Sequence, residues 1–197
     1  MKNICVLLAV VALAACGPSD EIDPRSTINA DGQHRKEIAK AVNGSRLWQT
    51  YFEKASSGSK PLVEFQFTVE RKTFRSTGGD YDPGKIAVDF KAKSTKNNRL
   101  LYKNKMEVRL KDFIIGAMDK EASREEIQEI AFRATEKKVY PYLNRWVNIT
   151  AINAMGNEGS SGSRFVATLN KMLEDKWTSD DLRAAAEEAL QRIQGKG

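Results

Sequence analysis

Residues 63–70 read VEFQFTVE, and apolar and polar residues alternate throughout this stretch. An extended strand points successive side chains to opposite faces, so this stretch predicts a strand with one apolar face. The same period recurs in residues 86–93 (IAVDFKAK) and 105–111 (KMEVRLK), with turn-rich sequence at 76–84 and 95–98 between the strands. Short connections predict an antiparallel meander of three strands, whose apolar face must be covered by helices.

Helical patterns on both sides of the meander can supply that cover. Apolar residues recur at helical spacing in residues 34–55, with Asn43-Gly44 as a point of interruption. From Ser123 onward the chain is expected to be helical: Ser123 and Glu126 have the spacing of a capping box, Pro141 should break or kink the helix, and Thr178 should cap the last helix. We therefore predict an α+β fold, in which an N-terminal helix and a three-stranded antiparallel meander pack on C-terminal antiparallel helices.

The end of the chain carries a second pattern, because residues 165–194 read as a helix, a short acidic turn and an alanine-rich helix. This arrangement resembles one HEAT repeat. Residues 147–155 align with residues 182–190 at an offset of 35, which pairs Ala151 with Ala186 and Ala154 with Ala189. Small residues of this kind let paired helices approach closely. The resemblance implies a HEAT-like pair of hairpins over residues 123–194, and a plain antiparallel bundle is the other interpretation.

The first residues have the organisation of an export signal. Lys2 gives a positively charged start, and residues 4–15 form an apolar run that is shorter than the roughly 20 residues of a membrane-spanning helix. The run ends in Leu13-Ala14-Ala15-Cys16, which resembles the lipobox of bacterial lipoproteins. That resemblance implies cleavage before Cys16 and a membrane anchor of diacylglycerol, often with a further acyl chain such as palmitate, on Cys16. The alternative is an ordinary signal peptide whose cleavage site contains a cysteine.

The same resemblance predicts a location in the cell envelope. In such lipoproteins, an aspartate directly after the cysteine commonly blocks sorting to the outer membrane, and this chain has Gly17 there. We therefore expect the periplasmic face of the outer membrane. The expected organisation is a signal peptide (1–15), a flexible lipidated tether (16–32), a helix with the meander (33–118) and a helical, HEAT-like region (119–197).

Charge and cysteine content exclude several function classes. The chain has 32 Lys and Arg against 26 Asp and Glu, and the two signs are interspersed, so nucleic acid is not an expected partner. Cys5 and Cys16 both belong to the leader and its cleavage site. The body of the protein therefore has no disulfide, thiol nucleophile or thiolate metal ligand.

The remaining candidates for chemistry are weak. His34 stands alone beside Arg35 and Lys36, so we expect it to be a solvated surface residue. Asp80 and Asp82 lie in a Gly- and Pro-rich turn without the spacing of a calcium-binding EF-hand. We expect no catalytic residue, no metal site and no cofactor, and hence a protein that is not an enzyme.

One set of basic residues remains as a candidate binding surface, because the strand pattern puts its members on the solvent face of neighbouring strands. They are Lys91, Lys93, Lys103, Lys105, Arg109 and Lys111. A solvated face, partly neutralised by nearby carboxylates, is one interpretation. The other is a face that binds lipopolysaccharide, anionic lipid or peptidoglycan.

Two functions are consistent with this sequence. The first is a non-enzymatic, lipid-anchored adaptor or assembly factor of the envelope, which binds a protein partner through its helical part. The alternative is a binding module that holds an anionic envelope component on the basic face of the sheet.

The anchor gives a direct prediction, because a thioether link to lipid needs the sulfur of Cys16. We expect Cys16→Ser to abolish labelling of the protein by radioactive palmitate in growing bacterial cells. Cys5→Ser, which changes the other cysteine of the leader, should keep the label. Undiminished labelling of Cys16→Ser would refute the anchor.

Overall fold

The computed structural model describes residues 23–55, 61–72, 84–110 and 123–195. Several predictions of the sequence analysis concern residues outside these ranges: the signal peptide, the predicted lipidation site Cys16 with Gly17, the turn residues Asp80 and Asp82, and Lys111. Among the helices within them, none is long and apolar enough to cross a membrane.

The described strands form one sheet in the order β1-β2-β3-β4. The three predicted strands are β2 (Val63–Lys72), β3 (Lys85–Ser94) and β4 (Leu100–Arg109), and neighbouring ones pair antiparallel. Phe67 lies opposite Phe90. One face of β2 and β3 carries the buried residues Val63, Phe65, Phe67, Ile86, Val88, Phe90 and Ala92. The predicted α+β class and the meander are confirmed.

A fourth strand extends the sheet at the side of β2. Residues Ser26–Asn29 form β1, which pairs parallel with β2 from Ser26 opposite Val63 to Asn29 opposite Gln66. The sequence analysis included these residues in a flexible tether, and that part of the prediction is wrong. Only Ile28 of β1 is a large apolar residue, so the strand has too little alternation to be recognised. It forms because β2 offers a free edge for backbone hydrogen bonds.

The N-terminal helical pattern is divided into α1 (Gly32–Gly44) and α2 (Arg46–Lys54), with the break next to the predicted Asn43-Gly44. Ser45 makes the break stable. Its hydroxyl accepts a hydrogen bond from the Trp48 amide at 3.2 Å and donates one to the side-chain oxygen of Asn148 at 2.6 Å. The start of α2 is thereby capped and linked to the C-terminal half of the chain.

Helix α3 (Arg124–Asn157) is one continuous helix of 34 residues. The predicted capping box is present, since the Ser123 hydroxyl accepts from the Glu126 amide and the Glu126 carboxylate accepts from the Ser123 amide. Pro141 lies inside the helix and does not break it, so the expected break is wrong. It lies on the exposed side, where water can bind the carbonyl group that proline leaves without a donor. Buried Val139 and Leu143 hold the helix on the core at either side of it.

The chain continues through a 3₁₀ segment (Gly159–Phe165), α4 (Val166–Glu174) and α5 (Asp180–Ile193). The N-cap of α5 is Ser179 instead of the predicted Thr178. Helices α4 and α5 form one hairpin, as the HEAT resemblance implies. The first copy of the proposed pair lies inside the uninterrupted α3, so a HEAT-like pair of hairpins is wrong and the helical bundle is right.

A line of aromatic rings joins the helices to the sheet. Ring centroids are separated by 5.5 Å from Trp48 to Phe65, 6.0 Å from Phe65 to Phe90 and 5.4 Å from Phe90 to Trp146. All four side chains are buried. The indole nitrogen of Trp48 also donates to the Val147 carbonyl at 2.9 Å. Helices α2 and α3 therefore cover the apolar face of the sheet together.

The contact between α3 and α5 depends on small residues. Ala151, Ala154, Ala186 and Ala189 are buried, and a Cβ atom added to Gly156 would lie 2.8 Å from the Ala189 Cα atom. The two backbones are thus close enough to exclude even a methyl group at this position.

We expect Gly156→Ala to lower the free energy of unfolding by about 1–3 kcal/mol, because the new methyl group forces the two helices apart. Urea denaturation would measure the loss. Gly44→Ala, which also lies in a helix but has nothing within 4 Å of the added Cβ, should be neutral or slightly stabilising. Equal unfolding midpoints for Gly156→Ala and the unaltered protein would contradict this account.

Candidate functional site

A groove of about 560 Å³ lies where β4, α3 and α5 meet. Strand β4 contributes Tyr102, Asn104 and Met106 from the face that is turned towards the helices. Helix α3 contributes aromatic and aliphatic residues, and α5 forms the far wall with alanines and carboxylates. The groove therefore combines an apolar floor with a polar rim, as binding sites for proteins and small molecules commonly do.

The groove exists because the layer of helices is wider than the sheet on this side. Helix α3 packs against β3 and β4, and α5 packs on α3 instead of on a strand. Strand β4 is the last strand of the described sheet. The side chains of α3 and α5 beyond β4 consequently have no strand above them within the described ranges.

Aromatic residues on α3 dominate the floor. Tyr142 and Trp146 are one turn apart, with ring centroids 6.2 Å apart in a stacked arrangement. Trp146 is buried beneath Phe90, whereas Tyr142 is 45% exposed and open to an incoming ligand. A rigid aromatic side chain of this kind contributes much contact area at low entropic cost.

An ion pair joins the two helices at the groove. The Arg145 guanidinium donates a hydrogen bond to the Asp181 carboxylate, which also accepts one from the Ser179 hydroxyl at 2.6 Å. Burial by itself would raise the pKa of the Asp181 carboxyl, but the bonds from Arg145 and Ser179 outweigh it and keep the pKa below its ordinary value. Nearby, burial raises the pKa of the Tyr102 hydroxyl.

The basic residues singled out in the sequence lie on the opposite side of the sheet. Lys91, Lys93, Lys103, Lys105 and Arg109 share the outer face of β3 and β4, and Lys91 lies directly opposite Lys103. Asp89 lies among them, 3.1 Å from the Lys91 ammonium and 3.6 Å from that of Lys105. The outer face is thus a mixture of signs in which cations are in excess.

Three of these cations have no carboxylate within 4 Å in the described part of the chain: Lys93, Lys103 and Arg109. Glu107 of the same face is already bound by Lys85 at 2.6 Å. Cations without a nearby carboxylate lower the cost of bringing an anion to this face of the sheet.

His34 is not the solvated residue that the sequence predicts. It is half-buried on α1, its ring centroid lies 5.2 Å from that of Phe67, and its Nδ1 atom lies 3.2 Å from the Tyr140 hydroxyl. Tertiary packing causes this burial, because α1 lies on the inner face of β2 beside α3. Within the described ranges, no group of three or more His, Cys, Asp or Glu residues is arranged to hold a metal ion.

Sequence reasoning missed the groove, whose residues come from three elements far apart in the chain. Trp146 belongs to an apolar stripe at helical spacing, which indicates burial and nothing more, and Tyr142, Arg145 and Asp181 carry no local signal. The one available clue was Tyr142, a large aromatic residue next to the apolar stripe of the helix instead of in it.

No family model matches this chain, and no curated protein matches it. Among solved structures, it is similar to a chain described as a putative lipoprotein from Caulobacter crescentus, at 15% sequence identity. The match covers 63% of this chain and 91% of the other, with a TM-score of 0.29. At that score and identity, the similarity does not define the fold or function of this chain.

The ion pair gives a prediction about acidity. We expect Arg145→Met to raise the pKa of Asp181, because burial then acts on the carboxyl with less opposition. Carbon-detected NMR titration of the side-chain carboxyl would measure it. Arg133→Met is the matched control, since Arg133 bonds to Glu129 on an exposed part of the same helix.

The sign of the effect on stability follows from the lowered pKa. The pair stabilises the fold at pH values above the ordinary carboxyl range, and its contribution is lost as the pH falls through the lowered pKa. Because both side chains are partly exposed, the contribution should be below about 1 kcal/mol. An unchanged Asp181 pKa in Arg145→Met would contradict the assignment.

Proposed function

We propose that this protein is a lipid-anchored adaptor or assembly factor of the bacterial cell envelope, and that it binds a protein partner in the groove beside β4. It acts without catalysis in this proposal. The lipobox sequence supports the anchor, and the groove supports the binding of a partner. Neither the anchor nor the binding of a partner in the groove depends on the basic face of the sheet.

The observation that carries the proposal is the side of β4 that pairs with no other described strand and lies next to an aromatic groove. An edge strand presents backbone donors and acceptors that can pair with another chain. The groove adds Tyr142 and Met106, residue types that are enriched in protein interfaces. Trp177, in the turn that leads into α5, is 93% exposed and adds apolar surface near the start of that helix.

The anchor has a physical role in such a protein. Two or three acyl chains hold a protein on a membrane almost permanently, at roughly 0.8 kcal/mol per buried CH₂ group. Confinement to a surface raises the effective concentration of the groove for a partner in the same membrane. We propose the periplasmic face of the outer membrane as that surface, because Gly17 follows the lipidated cysteine.

A second function is favoured by the register of the basic face. Lys91 and Lys103 lie directly opposite each other, and like charges so placed destabilise a sheet unless an anion or a carboxylate lies between them. Asp89 contacts Lys91, but its carboxylate is shared with Lys105. Phosphates of lipopolysaccharide, anionic lipid headgroups or peptidoglycan carboxylates would relieve the repulsion.

The test is a photocross-link in the full lipidated chain in its native host. A benzoylphenylalanine in place of Tyr142 should give an adduct with one protein that also co-purifies in stoichiometric amount. The same group in place of Ile130, which is 51% exposed on the same helix but outside the groove, should not give it.

The outcomes separate the two functions. Lipopolysaccharide or peptidoglycan fragments recovered in place of a protein would favour the second function. Identical adducts at both positions, or none at Tyr142, would overturn the adaptor proposal.

A further inference from the structure

We infer that β4 receives an extended segment of the partner as a fifth strand, and that this segment alternates acidic and apolar residues. The inference rests on the proposed function, because it uses the same groove, and it adds the chemistry of the partner. Four features of β4 and its surroundings support it: its free edge, the groove beneath that edge, its unpaired cations and the repulsion that opposes self-pairing.

The free edge is long enough to bind a strand. Strand β4 has ten residues and, within the described ranges, pairs with β3 along one side. The Asn153 side chain donates to the Leu101 carbonyl at 2.9 Å, which occupies the start of the strand. Among the described residues, no other hydrogen bond joins the outer edge of Tyr102–Arg109, and an edge strand of this kind can pair with an added strand.

The groove can hold the side chains that an added strand would point towards the helices. Side chains of an added strand would alternate between the two faces of the sheet, and those on the inner face would lie over α3 and α5. Their neighbours would be Tyr102 and Met106 on β4 and Tyr142 on α3. These positions of the partner segment should therefore be apolar.

The charges of β4 determine which residues of the partner segment fit on the outer face of the sheet. Side chains directly opposite each other on neighbouring strands lie about 5 Å apart. An added strand would bring its outer-face residues beside Lys103, Lys105 and Arg109, which are exposed. Lys103 and Arg109 have no carboxylate within 4 Å among the described residues. Carboxylates on the partner segment would supply the missing counter-charges, so these positions should be acidic.

The same charges exclude a second copy of this chain as the occupant. Two β4 strands paired edge to edge would bring a row of cations against an identical row. Only Glu107 could offset them, and its carboxylate is engaged by Lys85. Like charges directly opposite destabilise strand pairing. Cationic residues on an edge strand are a common means of preventing self-association.

Binding of labelled peptides to the full lipidated chain in detergent micelles tests the inference. The probes are peptides of about eight residues, matched to the free length of β4, that alternate Glu with Val, Leu, Phe or Tyr. We expect at least one of them to bind, as measured by fluorescence anisotropy. N-methylation of alternate backbone amides keeps charge and apolar content but removes strand hydrogen bonds, so it should abolish binding.

Charge variants of the protein supply the matched comparison. The triple change Lys103→Glu, Lys105→Glu and Arg109→Glu should weaken peptide binding roughly tenfold or more, because three favourable pairs become repulsive. The control is a second triple variant with the same change in net charge at three exposed lysines elsewhere on the molecule: Lys40→Glu, Lys171→Glu and Lys176→Glu. That second triple should leave binding nearly unchanged.

Each contrary outcome overturns the inference. The inference is wrong if no peptide of the panel binds, or if N-methylated peptides bind equally well. It is also wrong if both triple variants lose peptide binding to the same extent. Concentration-dependent dimerisation of the unaltered chain through β4 would also overturn the inference, since it would make a second copy the occupant. If Tyr142 still cross-links a partner while the peptides fail, the adaptor proposal survives and strand addition does not.

Discussion

The structure depends on covering one apolar face of a twisted sheet. Phe65 and Phe90 lie on that face, and Trp48 of α2 and Trp146 of α3 pack on them to form a continuous line of rings. Burial of such large side chains is the main source of stability in a domain of this size. The bond from Trp48 to the Val147 carbonyl fixes how the two helices lie against each other, and the remaining helices take their places from α3.

The groove beside β4 follows from the same constraint. Helix α3 covers β3 and β4, and α5 packs closely beside α3 through Gly156 and Ala189. The helices therefore extend past β4, so that Tyr142 and Arg145 lie beside an edge with which no other described strand pairs. A surface formed in this way combines backbone hydrogen-bonding groups, aromatic area and charge, which are the requirements for binding an extended segment.

Prediction from sequence succeeded where the signal is local. Alternation of apolar and polar residues identified β2, β3 and β4, the Ser123 capping box identified the start of α3, and Asn43-Gly44 marked the end of α1. Prediction failed where contacts with a distant part of the chain determine the local structure. Strand β1 forms because β2 has a free edge, Pro141 remains inside a helix because it faces solvent, and His34 is partly buried because Phe67 and Tyr140 lie beside it.

Residue type and spacing alone predict the α+β class, the strands of the meander and the alternation that puts five basic residues on one outer face, and they give the stretch at Cys16 its resemblance to a lipobox. These are properties of residue type and spacing over short distances, which backbone geometry converts directly into structure. Contacts between distant segments make α3 continuous, add β1 to the sheet beside β2, and bring Tyr142, Arg145 and Asp181 together beside β4. Those contacts join residues far apart in the chain, and they exist because packing, rather than local preference, selects one arrangement of the helices on the sheet.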